Sequence, residues 1–324
     1  MISLLDPLKV KGFTFKNRLV IPPMLTSLAT STGAVTGELI EYYAVRATAV
    51  GLVIVEHSYV SIEGKLSENQ LGIYSNQLSA GLEQLVSRVH ATGTPIVIQI
   101  NHAGRTTSKE MTGFQPIAPS ATDTARAIDA DELDDLAEKY VQAADRAVKA
   151  GFDGVEVHGA HGYLLNQFYS PLANGRTDDY GGSFENRIRF PLTVVNKVGK
   201  SIGEKLLLYR LGSVDMDPSG TQLTDSKLFA KKLEEAGVNI LDISGGFCGP
   251  RPKQLQKTQG FFIPQAQAVK NSVSIPVIGV GGIRDPNYAN RLINEEAVDL
   301  VAVGTPILKD AQWASNFLQQ LQAS

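Results

Sequence analysis

The chain has 324 residues, 43% of them hydrophobic, with a formal net charge of −3 and a pI near 6.0. That is ample apolar material for a large core, and neither the charge balance nor any run of Lys and Arg points to nucleic acid or a membrane surface. The single cysteine, Cys248, excludes an intrachain disulfide and an all-cysteine metal or iron–sulfur site.

Short apolar stretches alternate with helical spacings along the whole chain. Strands are predicted at Arg18–Met24, Leu52–Tyr59, Pro95–Asn101, Gly154–His158, Leu206–Leu211, Ile240–Ser244, Pro276–Val280 and Leu300–Val303. Several are almost continuously apolar, as in Leu206-Leu207-Leu208, which suits parallel strands covered on both faces. A helix follows each strand: Gly37–Val50, Ala80–Thr92, Asp129–Gly151, Phe184–Val198, Asp225–Gly237, Pro264–Ser272, Asn287–Glu296 and Gln312–Leu321. In Asp129–Gly151 the apolar residues Leu133, Leu136, Tyr140, Ala143, Ala144, Ala147 and Val148 recur at spacings of three and four, and Gly151 ends the helix as a C-cap.

This alternation predicts the α/β class and a single (β/α)8 TIM barrel over residues 1–324. A doubly wound sheet is the runner-up, but Gly279-Val280-Gly281-Gly282 lacks the third glycine of a dinucleotide fingerprint because Arg284 stands there. Asp6 and Pro7 interrupt the first apolar stretch, so no signal-peptide layout is read. No apolar run reaches the roughly 18 residues of a membrane span. A cytoplasmic protein is expected. The long stretch from Gly159 to Ser183 after the fourth strand reads as irregular, and a loop of that length in a compact domain is usually functional.

Barrel active sites lie at the C-terminal strand ends. Polar residues gather there: Glu56-His57-Ser58, Gln99 to His102, Glu156 to His158 with His161 and Tyr163, Arg210, and Asp242 with Ser244. Four of the five histidines fall at this mouth. Gly281, Gly282 and Gly304, with Thr305, follow strands seven and eight, where barrels often bind a phosphate on backbone N–H groups. Cys248 follows strand six and reads as a loop thiol. These residues leave a metal-dependent hydrolase open as an alternative, with His57, His102, His158 and His161 as nitrogen ligands and Glu56 or Glu156 adding oxygen.

The run His158-Gly159-Ala160-His161-Gly162-Tyr163-Leu164-Leu165-Asn166-Gln167-Phe168 resembles the active-site signature of the old yellow enzyme family. So do Ser170-Pro171, Asn174-Gly175-Arg176-Thr177-Asp178-Asp179-Tyr180-Gly181-Gly182-Ser183 and Glu185-Asn186-Arg187. Lys16-Asn17-Arg18, Pro22-Pro23-Met24, Gln99, His102-Ala103-Gly104-Arg105 and Arg210 match in order, and the likeness is greatest to the short bacterial, thermophilic-like branch.

The resemblance implies an FMN-dependent NAD(P)H oxidoreductase of the ene-reductase type. FMN is the implied cofactor and NADPH or NADH the electron donor. Pro22, Pro23, Met24 and Leu25 would run along the flavin through their backbone. His57 stands where the family presents a flavin-contacting backbone, usually on a small residue. Gln99 would hydrogen-bond the pyrimidine edge, Arg210 would sit near N1 and the C2 oxygen, and Gly281, Gly282, Gly304 and Thr305 would hold the phosphate. His158 and His161 would bind the carbonyl oxygen of an α,β-unsaturated substrate and Tyr163 would give a proton to its α-carbon. No metal is implied. The partners implied are the nicotinamide and a small enone or enal, with a homo-oligomer as a further possibility and no nucleic acid or membrane. Two positions depart from the family: Leu25, where a donor such as Cys or Thr is usual and Thr26 is the substitute at hand, and Thr305, where an arginine is usual. They motivate a second alternative, a flavin-binding protein with little catalysis.

Overall fold

In the computed structural model, which describes residues 2–322, eight parallel strands close into a barrel. They are β1 Leu19–Ile21, β2 Leu52–Tyr59, β3 Ile96–Asn101, β4 Gly154–Gly159, β5 Leu206–Gly212, β6 Ile240–Ser244, β7 Val277–Gly279 and β8 Leu300–Ala302. Val301 pairs with Leu19 and Ala302 with Val20, so β8 returns to β1 and no barrel edge is left open. The helices between strands are α1 Gly37–Ala47, α2 Ser79–His90, α3 Leu133–Lys149, α4 Phe184–Ile202, α5 Leu223–Glu235, α6 Ile263–Lys270, α7 Pro286–Asn294 and, last, α8 Trp313–Gln322.

The expected alternation is present throughout, and local chemistry explains the boundaries. β1 stops at Ile21 because Pro22 and Pro23 have no N–H to continue a ladder, and β7 starts only after Pro276 for the same reason. Thr36 caps α1 by accepting from the Leu39 N–H, and Ser183 caps α4 by accepting from the Asn186 N–H. α4 continues to Ile202, beyond the predicted Val198, with Pro191 inside it. The stretch after β4 is less irregular than predicted, since Leu164–Tyr169 form a fully buried helix. A hairpin of Leu8–Val10 and Phe13–Phe15 was not expected. It turns at Lys11 (φ 44°) and Gly12 (φ 84°), and its Val10 and Phe15 close one end of the barrel interior.

Two apolar layers follow from strand alternation. Residues such as Val53, Ile98 and Val155 face the helices. Val20, Leu52, Ile54, Val97, Leu208, Ile240, Ile278 and Leu300 fill the barrel. Above this filling lies a polar layer of Gln99, Glu156, Arg210 and Asp242, none more than 5% exposed. Register sets Gln99 beside Glu156 and Arg210 beside Asp242.

β2 breaks the alternation. Val55 pairs with Ile98 but Ser58 pairs with Ile100, so one extra residue bulges from β2. The bulge sends Glu56 outward to Tyr43 of α1 and turns His57 toward the mouth.

The foot of the barrel is equally tight. The Gly51 N–H donates to the Leu19 carbonyl at 2.9 Å, and a Cβ at Gly51 would lie 1.9 Å from the Asn17 carbonyl oxygen. Gly51→Ala is therefore expected to destabilise the fold by about 2–3 kcal/mol, because backbone must move to admit the methyl. Urea denaturation measures this, and an unchanged midpoint would contradict the packing described.

Candidate active site

A cavity of about 510 Å³ opens at the C-terminal ends of the strands, a size ordinary for a cofactor or small-ligand site. Pro22, Pro23, Met24, Leu25, His57, His158, His161, Tyr163, Arg210, Gly281, Gly282, Gly304 and Thr305 all line it. Gln99 does not; it lies beneath, fully buried, donating to Glu156 at 2.7 Å. His102 is also fully buried away from the cavity, its Nδ1 accepting from the Gly104 N–H. Cys248 donates to the Val214 carbonyl and is absent from the lining.

The hydrogen-bond network assigns two imidazole tautomers. Gln70 is fully buried, and its Oε1 accepts from the Leu66 N–H at 2.6 Å. Its amide nitrogen therefore faces His57, donating to the His57 carbonyl at 3.0 Å and to Nδ1 at 2.7 Å. A neutral His57 consequently carries its proton on Nε2. The Nδ1 of His158 accepts from the Ala160 N–H at 3.2 Å, which again leaves the proton on Nε2. His161 sits at φ 61°, with Nε2 2.8 Å from the Ser244 hydroxyl. The rings of His158 and His161 are 5.1 Å apart, His158 and Tyr163 4.9 Å, and His57 and Tyr163 5.6 Å.

Burial keeps these imidazoles neutral. It pushes His57 down to about 4 and holds His158 and His161 well below the usual imidazole range, with Arg210 adding to each effect. Burial raises the Tyr163 phenol, partly opposed by Arg210. The site thus offers neutral donors around one guanidinium. Among the described residues no group of three His, Cys, Asp or Glu side chains converges as metal ligands. The metal-hydrolase alternative has no ligand set to stand on.

Neither departure from the family's pattern stands alone. Thr26 is not a free substitute donor beside Leu25, since its hydroxyl and N–H both donate to Glu56 Oε2, at 2.5 and 3.2 Å. The cavity lining also includes three cations that sequence reasoning missed, Arg251, Arg284 and Lys309. None is in an ion pair among the described residues. Lys309 was readable as one helical turn beyond Thr305, on a short helix Thr305–Lys309, whereas Arg251 reaches the cavity by loop geometry. Gly281 serves the chain itself: at φ 125° a Cβ would meet the Phe261 nitrogen at 2.8 Å. Gly282, at φ 66°, is exposed on the cavity wall.

These features fit a flat cofactor with a phosphate. The Oε1 of Gln99 is buried without a partner under the floor, Arg210 supplies a cation, and the Gly282–Thr305 end carries unpaired positive charge.

A model of the NADH:flavin oxidoreductase / NADH oxidase family matches residues 3–324. The chain belongs to this family. It is 41% identical over 318 residues to NADH oxidase of Thermoanaerobacter brockii, covering 94% of this chain and 49% of that protein. It is 36% identical over 311 residues to NADPH dehydrogenase of Halalkalibacterium halodurans, covering 94% and 90%. The chain thus spans about half the length of the first relative and most of the second. An old yellow enzyme homologue from Zymomonas mobilis superposes with a TM-score of 0.86 at 29% identity, over 98% of this chain and 93% of that one. The resemblance read from the sequence is met by this membership, and with it the family's flavin cofactor. No helix among the described residues is long and apolar enough to cross a membrane.

In this family member, Glu56 is a buried carboxyl whose burial raises it from 4.5 to about 7, against opposing hydrogen bonds from Thr26 and Tyr43. A raised folded-state value contributes stability that is full below 4.5 and is lost as pH climbs through about 7. Over that window the native state holds a proton that the unfolded chain has released. Glu56→Gln removes this loss, so the stability difference between variant and wild type should move by about 3 kcal/mol in the variant's favour from pH 4.5 to 7. Denaturation midpoints across that range test it; parallel curves would show that Glu56 ionises normally.

Proposed function

We propose that this chain is an ene-reductase: it takes hydride from NADPH or NADH through FMN and delivers it to the activated double bond of a small α,β-unsaturated carbonyl compound. The observation that carries the reading is the gathering of His158, His161 and Tyr163, with ring centroids 5.1, 4.9 and 6.4 Å apart, in a cavity with Arg210. The chemistry FMN supplies when bound is hydride transfer between the nicotinamide and the substrate.

The residues would divide the remaining work. Pro22 to Leu25, Arg210 and the buried Gln99 would bind the ring system. Gly282, Gly304 and Thr305 would hold the phosphate, with Lys309 and Arg284 supplying the charge that Thr305 lacks. His158 donates through Nε2–H to the substrate's carbonyl oxygen and His161 supports the same atom. A neutral donor suits this role, because negative charge grows on that oxygen as the β-carbon receives hydride, so the bond strengthens toward the transition state. Tyr163 then gives its phenolic proton to the α-carbon. Burial keeps the phenol protonated until that point.

The first test is spectroscopic. The protein should take up FMN with the visible absorption of a bound flavin, and that absorption should bleach on adding NADPH or NADH without oxygen. A protein that binds no FMN would defeat the reading. Tyr163→Phe should slow enone reduction by about 100-fold or more while flavin reduction by the nicotinamide stays near wild type. Equal slowing of both half-reactions would remove Tyr163 as proton donor. The double variant His158→Ala, His161→Ala should weaken binding of simple phenols, read by spectral titration, by about tenfold or more. Unchanged phenol affinity would remove the carbonyl-binding pair.

A further inference from the structure

Three polar side chains lie sealed beneath the cavity floor, and a fourth, Arg210, joins them to the cavity. Gln99, Glu156 and Asp242 are 0% exposed and Arg210 is 5% exposed. Only one of the four is a cation. Its Nε stands 3.3 Å from Asp242 Oδ2, off the N–H line, which makes an ion pair without a straight hydrogen bond. Glu156 has no ion pair among the described residues. Its one hydrogen bond is from the Gln99 amide to Oε1, at 2.7 Å.

The unpartnered atoms of this layer are telling. Gln99 Oε1, Glu156 Oε2 and both oxygens of Asp242 have no hydrogen-bond partner. With both carboxyls ionised, all four are acceptors, and among the fully sealed polar atoms of these four side chains the Arg210 Nε–H is the one donor without a partner. A second unpaired negative charge, sealed from water, is far costlier than a bound proton. A proton on Glu156 Oε2 removes that charge and supplies the missing donor.

We infer that Glu156 is a positioning residue held as a neutral acid, which fixes the Gln99 amide and leaves Asp242 alone to balance Arg210. The groups packed around it agree. Gln99 of β3 is neutral, Arg210 of β5 stands against Asp242 of β6 and opposes the rise that burial imposes on that carboxyl, and His158, two residues along β4, is kept uncharged by burial. Burial raises the Glu156 carboxyl well above its usual range, the Asp242 charge adds to this, and Arg210 opposes it.

The consequence rests on the FMN reading above. With Glu156 Oε1 accepting from the Gln99 amide nitrogen, the Gln99 oxygen is kept as an acceptor that no protein group uses. Such an acceptor beside a guanidinium matches an imide edge, an N–H flanked by carbonyls, as on the pyrimidine ring of a flavin. Glu156 would thereby choose the sense of Gln99 and preserve the field of Arg210 without touching the ligand.

Two measurements test this. The infrared spectrum of the purified protein at pH 8, where Glu56 with its value of about 7 is mostly ionised, should contain a protonated-carboxyl C=O band. That band should shift in D2O and vanish in Glu156→Gln. Its absence from wild type, or its loss in Asp242→Asn but not in Glu156→Gln, would overturn the assignment. In the second, FMN affinity and midpoint potential should stay within about twofold and unshifted in Glu156→Gln, which keeps shape and neutrality, while Glu156→Leu should lose about tenfold or more in affinity. An upward shift of the potential in Glu156→Gln would mean that a negative charge had been removed, and the proposal would fail. Failure of wild type to bind FMN would sink the flavin reading instead, and the infrared band would still decide the state of Glu156.

Discussion

One guanidinium organises the chemistry of this barrel. Arg210 projects from β5 into the floor of the cavity, and the three imidazoles and the phenol above it are all affected by its charge. Burial already disfavours protonated histidine, and a fixed cation nearby disfavours it further. Besides its three other lining cations, Arg251, Arg284 and Lys309, the cavity therefore presents the imidazoles and the phenol as neutral donors around Arg210. Such a site waits for negative charge to develop rather than carrying its own counter-ions into the reaction.

Donors of this kind act only if they are held still, and most of the long motif after β4 serves that end. Asn166 accepts from the Gly162 N–H at 2.8 Å. Gln167 donates to the carbonyls of Ala103 and Gly162, and its oxygen accepts from the Arg105 N–H. Asn174 bridges the carbonyls of Phe168 and Tyr180, and Arg187 those of Tyr169 and Gly182. Few of these residues face the cavity. They let His161 keep its left-handed backbone and Tyr163 its place, at the precision that positioned proton and hydride chemistry requires.

The barrel and the placement of most site residues were legible because both follow from local patterns. Eight apolar runs with helical spacings between them define the fold, and residues that end a barrel strand must face its mouth. Contacts between distant segments were not legible. Nothing local to β2 announces a bulge, yet without it simple alternation would place His57 against α1 instead of in the cavity. Gln70 fixes the His57 tautomer from a loop thirteen residues away. His102 follows its strand as the other histidines do, but its ring packs against Gly64 instead of entering the cavity. The N-terminal hairpin was readable in principle from Leu8-Lys9-Val10, Gly12 and Phe13-Thr14-Phe15, although strands that short give a weak signal.

The bulge in β2 has an effect on acid tolerance as well as on geometry. It places two neighbours, Glu56 and His57, in separate dry environments on opposite walls of one strand. Between pH 4.5 and 6.5 the folded chain keeps a proton on Glu56 that the unfolded chain gives up, and declines one on His57 that the unfolded chain takes. The two linkages have opposite sign and similar size, so their pH slopes largely cancel. This adjacent pair therefore adds little pH slope of its own, and the response to mild acidification is left to the other buried groups, among them His102, His158 and His161, which burial holds below the usual imidazole range.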